Sequence, residues 1–285
     1  MTDKIIRNRK KLEGISSLEE WNETLNVLIS HESIRNFQAK RISDEALEAI
    51  ILSARSAPTS SNLQAYSIVA VTDESRKERL AGFSGNQGFI KEAPVFLVFC
   101  ADIHRLKYVT KRQGYQFQAD TLEMFLLASM DAVLTMENAL IAAESLGLGA
   151  VPVGSIRNES INVAEELALP EGVFALVGLA IGYEKEGVRR GIKPRLPKQV
   201  TIHKEQYSVE YLEDGLKIYD QELISRKTYN GRRVSIAGEP EKEGVDYGWS
   251  EHTARRCTRP ETIAASASLR ENLRVTLEKL GFSFK

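Results

Sequence analysis

A chain of 285 residues with 42% apolar and 27% charged side chains is long enough to bury a substantial core and has the composition of an ordinary globular protein. Its 38 basic and 39 acidic residues leave a formal net charge of -1, which gives no general attraction to nucleic acid or anionic lipid, so any anion site is local. Two distant cysteines, Cys100 and Cys257, argue against a disulfide framework, a zinc site or a thioredoxin-type centre.

Residues 1–20 are charged and weakly patterned and are expected to form an N-terminal extension. A first helix is expected over Trp21 to Leu28, followed by the segment His31-Glu32-Ser33-Ile34-Arg35-Asn36-Phe37. Ser43-Asp44-Glu45 opens a second helix whose Leu47, Ile50, Ile51 and Ala54 keep helical spacing, and which ends before Pro58. Pro58-Thr59-Ser60-Ser61-Asn62 is a polar turn, Tyr66 to Val71 a strand, and Ser84 to Gly88 a second loop. Val95 to Cys100 is apolar without alternation, the pattern of a strand covered on both faces.

Asp120 with Glu123 is expected to cap a long helix whose apolar residues spread nearly all round, as in a helix buried in a core or at a dimer interface. Gly147 ends it, and Ala150 to Val153 forms a short strand that stops at Gly154. No Lys or Arg stands between Arg112 and Arg157, so Asp120, Glu123, Asp131, Glu137 and Glu144 each need a solvated or paired place. Val163 to Leu167 is a short helix and Phe174 to Gly182 another buried strand; 184–204 is basic, Tyr207 to Lys227 helical, Thr228 to Trp249 loop-rich, and Ser266 to Phe282 an amphipathic helix. Helices alternating with buried strands give an α/β or α+β pattern. The longest uncharged apolar runs are too short to cross a bilayer and the N-terminus is too charged for a signal peptide, so a cytoplasmic protein with no membrane or nucleic-acid partner is expected.

Gly147-Leu148-Gly149 followed by Gly154 is no dinucleotide fingerprint, because a helix ends there and a strand begins, the reverse of the order that brings phosphate to a helix N-terminus. There is no Walker motif, no HExxH and no clustering of the four histidines, so neither phosphoryl transfer nor metal binding is expected. Two anion-binding candidates remain. In an extended segment His31, Ser33 and Arg35 point the same way, although taken alone a surface arginine beside a helix cap is the favoured reading. Lys193-Pro194-Arg195-Leu196-Pro197 projects alternate cations from a stiff backbone, equally consistent with recognition and with a rigid linker.

Taken in order, several motifs resemble the flavin-dependent nitroreductase superfamily, in its larger NADPH-dependent branch of nitroreductases and flavin reductases. They are His-x-Ser-Ile-Arg-x-Phe at 31–37, Ser60-Ser61-x-Leu-Gln at 60–64, Gly-x-Gln at 85–87, Phe-Cys-Ala-Asp at 99–102, the run from Asn138 to Gly149, Gly-x-x-Arg-Asn at 154–158, and Lys-Pro-Arg-Leu-Pro at 193–197. The resemblance implies an α+β nitroreductase-like fold, a mixed and mainly antiparallel sheet flanked by helices, in an intertwined homodimer with FMN at the subunit interface. It implies an FMN-binding core over 21–205 and a C-terminal excursion over 206–285 carrying a basic loop and a terminal helix.

By similarity, His31, Ser33, Lys193 and Arg195 hold the phosphate of FMN, Arg35 lies nearer the pyrimidine ring, and Glu32 stands where this branch commonly has arginine. Thr59, Ser60, Ser61, Asn62 and Gln87 supply polar contacts to ribityl and ring, while Pro152, Val153, Gly154 and Ser155 line the ring, with the Gly154 amide at N5. Arg226, Arg232 and Arg233 resemble a loop that recognises the 2′-phosphate of NADPH, and Arg259 resembles a residue near the substrate pocket. The expected activity is an NAD(P)H oxidoreductase working by alternation on small acceptors such as nitroaromatics or quinones, with NADPH preferred and NADH possible as donor. A flavin reductase releasing reduced FMN and a non-catalytic flavin-binding protein are the alternatives.

Overall fold

The computed structural model describes residues 21–187, 191–234, 247–258 and 272–284, so the expected extension 1–20 lies outside the described residues. Two compact units appear among them: one holds 21–187, Gly191 and 272–284, the other 192–234 and 247–258.

In the first unit α1 (Glu23–Ile29) starts two residues later than the apolar pattern predicts, because Asn22 caps it by accepting the Leu25 N–H at 3.1 Å. Then come α2 (Asp44–Arg55), β1 (Tyr66–Val71), α3 (Glu74–Phe83), α4 (Phe89–Glu92), β2 (Val95–Asp102), α5 (His104–Arg112), α6 (Leu122–Ser145), β3 (Gly149–Val153), α7 (Ser160–Glu166) and β4 (Val173–Gly182). In the second unit lie α8 (Lys198–Thr201), α9 (Leu212–Ser225) and α10 (Trp249–Thr258); α11 (Leu273–Lys279) returns to the first.

The four strands form one sheet in the order β1-β2-β4-β3, every pair antiparallel, and a parallel bridge joins Ser33 to Ala150 beyond β3. All eight residues of β2 are buried, as its unbroken apolar run requires of a strand paired on both sides. Its side chains alternate between two cores. Phe96, Val98 and Cys100 pack with Leu80 of α3 and Val163 of α7, whereas Val95, Leu97 and Phe99 pack with Ile50 of α2 and Ala132, Met136 and Ala139 of α6. A third cluster at the sheet end joins Ala128 of α6 and Phe174 to Leu277 and Phe282, with Phe125 meeting Phe282 edge-on at 5.2 Å.

The cap of α6 is Thr121, not Asp120: the Thr121 hydroxyl accepts the Met124 N–H at 3.2 Å. Asp120 is engaged elsewhere, by the Ser283 N–H at 3.0 Å and the Lys107 ammonium at 3.1 Å. Gly147 has φ of 75°, the left-handed turn that ends α6. By length and composition alone α6 is apolar enough to cross a membrane, with a mean hydropathy of 1.4, but one face of it covers the sheet and the buried Asp131 interrupts it, as in a core helix. Its remaining apolar residues, Leu122, Leu126, Met130, Val133 and Leu134, are 44–65% exposed in the single chain.

In the second unit Tyr219 of α9 donates its hydroxyl to the Pro194 carbonyl at 3.1 Å, and Asp220 accepts the Ser250 N–H at the start of α10 at 2.8 Å. These bonds fix the stiff 193–197 segment and α10 on α9.

Candidate functional site

β3 organises the first unit's candidate residues. At its start the extended 31–37 segment is held by the Ser33–Ala150 bridge and by the Ile34 N–H, which donates to the Ala150 carbonyl at 3.1 Å. Gly149 permits this approach: a Cβ there would lie 2.7 Å from Ile34 Cγ1. With Ile34 turned into the core, His31 and Ser33 share the opposite side, as alternation predicts, and Ser33 Oγ lies 3.3 Å from His31 Nε2. The Arg35 guanidinium folds back to within 3.4 Å of the Ser33 carbonyl. On the far side of the imidazole, His31 Nδ1 is 2.6 Å from Glu144 Oε1, near the end of α6. This pairing fixes the ring and turns Nε2 toward Ser33. Imidazole and hydroxyl thus lie together as a pair suited to a phosphate, with the Arg35 guanidinium against the backbone of the same segment.

At the other end of β3, Gly154 heads a 3₁₀ turn, Gly154–Arg157, and the Gln87 amide donates to Ser155 Oγ at 2.5 Å. Pro152 is exposed, whereas the Val153 side chain is buried with Ile34 and Phe37, leaving its backbone as the part able to face a ligand. Arg157 donates to the Leu176 carbonyl, and burial pushes its guanidinium pKa below the usual value. From Ala150 to Gly154 is four residues, about 13 Å at a strand's rise.

Thr59, Ser60, Ser61 and Asn62 form a short 3₁₀ turn whose last three residues are exposed. It is held to α6 at Asp131 through the Ser60 N–H. Asp131 to Glu144 spans 13 residues, about 20 Å along the helix. One chain therefore collects His31, Ser33, Arg35 and Gly154 along one strand while holding Thr59–Asn62 at a different level of α6.

Lys193 and Arg195 are exposed in the second unit, with the Arg195 guanidinium on the Lys193 carbonyl at 3.1 Å. Among the basic-loop arginines, Arg226 is paired with Glu222 at 2.7 Å, Arg233 lies over the Tyr247 ring at 5.2 Å, and Arg232 is exposed. Arg259 lies outside the described residues. The roles of Asp131 and Glu144 were not read from the sequence; the signal was the cation-free stretch around them, which forces its acids to find partners elsewhere. Among the described residues no group of three or more His, Cys, Asp or Glu is placed to hold a metal ion.

A helix-flanked antiparallel sheet with imidazole, hydroxyl and guanidinium donors set beside one strand defines an α+β protein with a donor set of the kind that can receive an anionic ligand. The chain belongs to the nitroreductase family: residues 28–183 match the Nitroreductase family and 193–285 its C-terminal domain. It is 37% identical over 218 residues to the FMN reductase (NADPH) of Bacillus subtilis, covering 74% of this chain and 87% of that one. It is 40% identical over 214 residues to the NADPH-flavin oxidoreductase of Vibrio harveyi, covering 75% and 85%. The solved structure of B. megaterium NfrA2 superposes with a TM-score of 0.80 at 35% identity, over 93% of this chain and all of that one.

Proposed function

We propose that this chain is an NADPH-dependent FMN oxidoreductase of the nitroreductase type, reducing small acceptors such as nitroaromatics and quinones by two electrons in alternating half-reactions. Family membership and relatives named as NADPH-dependent flavin reductases support the reading. The structural observation that carries it is the donor set at 31–35, fixed to one end of β3 with the Gly154 turn at the other, about 13 Å away.

That donor set fits FMN. FMN, when bound, supplies the two-electron chemistry between NADPH and the acceptor. His31, Ser33, Lys193 and Arg195 hold its phosphate by charge-assisted bonds, and Arg35 offsets negative charge at the pyrimidine end. Glu32 neighbours these donors without adding a cation. Gln87, Ser155 and the backbone of Pro152, Val153 and Gly154 orient the ring and exclude water from one face. Arg232 and Arg233, with Arg226 once it leaves Glu222, receive the 2′-phosphate of NADPH, and Arg259 meets the acceptor. No side chain is needed as a general acid or base. Residues 21–205 act as the FMN-binding core and 206–285 as the excursion that carries the NADPH loop.

The working unit is a cytoplasmic homodimer. Its support is the exposed apolar stripe on α6, which a second copy would cover, together with the 20 Å or so between the levels of Asp131 and Glu144. Thr59, Ser60, Ser61 and Asn62 then serve the FMN whose phosphate the partner's copy of the 31–35 segment holds.

Anaerobic rapid mixing of the purified yellow protein with NADPH tests the proposal. Bleaching of the visible flavin band on the time scale of turnover is expected, with recovery when a quinone is added. An oxidised spectrum that persists under NADPH eliminates the oxidoreductase reading. Because relatives are named as flavin reductases, added free FMN is a second acceptor to measure, and turnover at low FMN concentration makes free flavin the physiological one.

A further inference from the structure

Asp131, at the middle of α6, is 1% exposed, and each oxygen of its carboxylate accepts a backbone N–H from the loop that precedes β1. Ser60 donates to Oδ1 and Ala65 to Oδ2, both at 3.0 Å. Between those two amides the backbone is strained: Ser61, Asn62 and Gln64 have φ of 48°, 55° and 50°. The left-handed region brings Cβ against the neighbouring carbonyl, so non-glycine residues avoid it and stay there only where the surroundings impose it. Gln64 adds one local bond, its amide donating to Asn62 Oδ1 at 3.2 Å; the Arg105 guanidinium donates to the Gln64 carbonyl at 2.8 Å and the Asp102 N–H to the Ala65 carbonyl at 3.0 Å, while Asp131 is the side chain that takes the amides at both ends of the arc. Ser60, Ser61 and Asn62 meanwhile stay exposed, projecting hydroxyl and amide groups outward from a loop whose ends are gripped from within.

We infer that Asp131 is a positioning residue for flavin binding: its carboxylate clamps residues 60–65 in the left-handed arc that presents Ser60, Ser61 and Asn62 to the ribityl chain and ring. The inference rests on the FMN reading above. A carboxylate suits the task because it is acceptor-only and has two oxygens, so it takes both amides at once. Asparagine at the same place keeps the volume and one acceptor but turns an N–H₂ donor toward the second amide, which opens one end of the arc.

The test compares wild type, Asp131→Asn and Asp131→Asn/Gln64→Gly as full-length chains freed of flavin, titrated with FMN and with riboflavin and followed by visible circular dichroism of the bound flavin. Asp131→Asn should weaken both ligands by the same factor, about tenfold, since the ring and ribityl contacts are shared and the phosphate donors at 31–35 are untouched. The dichroism band of bound flavin should change shape. Gln64→Gly removes a left-handed non-glycine residue and should restore several-fold of the lost affinity. General destabilisation would produce no such rescue. Unchanged riboflavin affinity in Asp131→Asn, or a Gln64→Gly substitution that restores nothing, overturns the clamp. Hydrogen exchange of the unmutated chain adds an arm that does not depend on the variant folding: the Ser60 amide should exchange slowly although Ser60 is exposed, and fast exchange there overturns the proposal. A wild-type chain that binds neither flavin refutes the FMN reading, and the clamp's flavin role with it, while slow exchange at the Ser60 amide would still mark the clamp itself.

Discussion

His31 Nδ1 and Glu144 Oε1 lie 2.6 Å apart although 113 residues separate them in sequence, and the bond ties the 31–37 segment to the last turns of α6. Its functional content is orientation, because an imidazole that gives one nitrogen to a carboxylate presents the other in a fixed direction, here toward Ser33. Glu144→Ala should lower FMN affinity by about tenfold, the scale of a hydrogen bond to a charged group, while Glu144→Gln, which keeps an acceptor, should lose less. Fluorescence titration of the flavin-free protein measures both. Equal retention of flavin by wild type and Glu144→Ala would remove Glu144 from the site.

The contact of Gly149 with Ile34 makes a stability prediction. A Cβ at 149 would stand 2.7, 2.8 and 2.9 Å from Cγ1, Cβ and Cγ2 of Ile34, a branched side chain packed in the core with little room to move. Gly149→Ala should cost about 1–3 kcal/mol and push the 31–37 segment off β3, loosening the flavin as well. Trimming Ile34 to alanine removes the Cγ1 and Cγ2 contacts and leaves the one to Cβ, so the double variant should be less destabilised than the two single effects added together. Urea midpoints of the four proteins decide it, and strict additivity would mean that the two residues do not press on each other.

Acid stability should depend on Asp120. Burial alone would raise its pKa, but the Ser283 N–H and the Lys107 ammonium outweigh that and hold the carboxyl below the usual value. A lowered folded-state pKa means that the unfolded chain binds the proton more readily, so the contribution is complete above the ordinary carboxylate range near 4 and is lost as pH falls through the lower folded value. Asp120→Asn should cost about 1 kcal/mol at pH 7. It should also flatten the fall in stability below pH 4, and speed amide exchange at Ser283, where the C-terminal segment is latched. A variant with the wild-type acid profile would show that another carboxylate governs that fall.

Which parts of the fold were legible follows from what each element buries. β2 and β4 were readable to within two residues because central strands need unbroken apolar runs, and the edge strand β1 from its β-branched and aromatic composition. α6 was readable from its length and from Gly147. α3 escaped because only Lys77, Leu80 and Ala81 of it are buried and most of the rest is charged; its signal was Asp73, which caps it by accepting the Arg76 N–H at 2.8 Å. α5 has no fully buried residue, and Leu106 alone of it packs on the third cluster, too little for an apolar face to be read. The same logic separates the candidate site residues. Alternation foretold that His31 and Ser33 share a side, but a clamp such as Asp131 on Ser60 and Ala65 joins backbone groups, which leave no mark on residue type. The cap displaced from Asp120 to Thr121 is a tertiary override: a carboxylate able to cap locally was taken by Lys107 and by Ser283, 163 residues away.

The apolar stripe on α6 yields the last prediction. Leu122, Leu126, Met130 and Leu134 recur every four residues, with Val133 beside them, and all are about half exposed in the single chain. A contiguous row of this kind costs free energy in water, at about 25 cal/mol for each Å² left uncovered, and a second copy of the same row is the surface the proposed homodimer supplies. Leu126→Glu with Leu134→Glu places two charges in that row without touching the side of α6 that packs on the sheet. The expected result is a monomer by sedimentation that keeps wild-type far-ultraviolet dichroism yet retains little flavin. In the proposed homodimer Thr59–Asn62 and the 31–35 segment, anchored to α6 about 20 Å apart in one chain, would meet around one ligand across the pair, so the monomer should lose its flavin. A dimer that survives both charges would move the interface elsewhere, and a monomer that keeps its flavin would show that one chain completes the site alone.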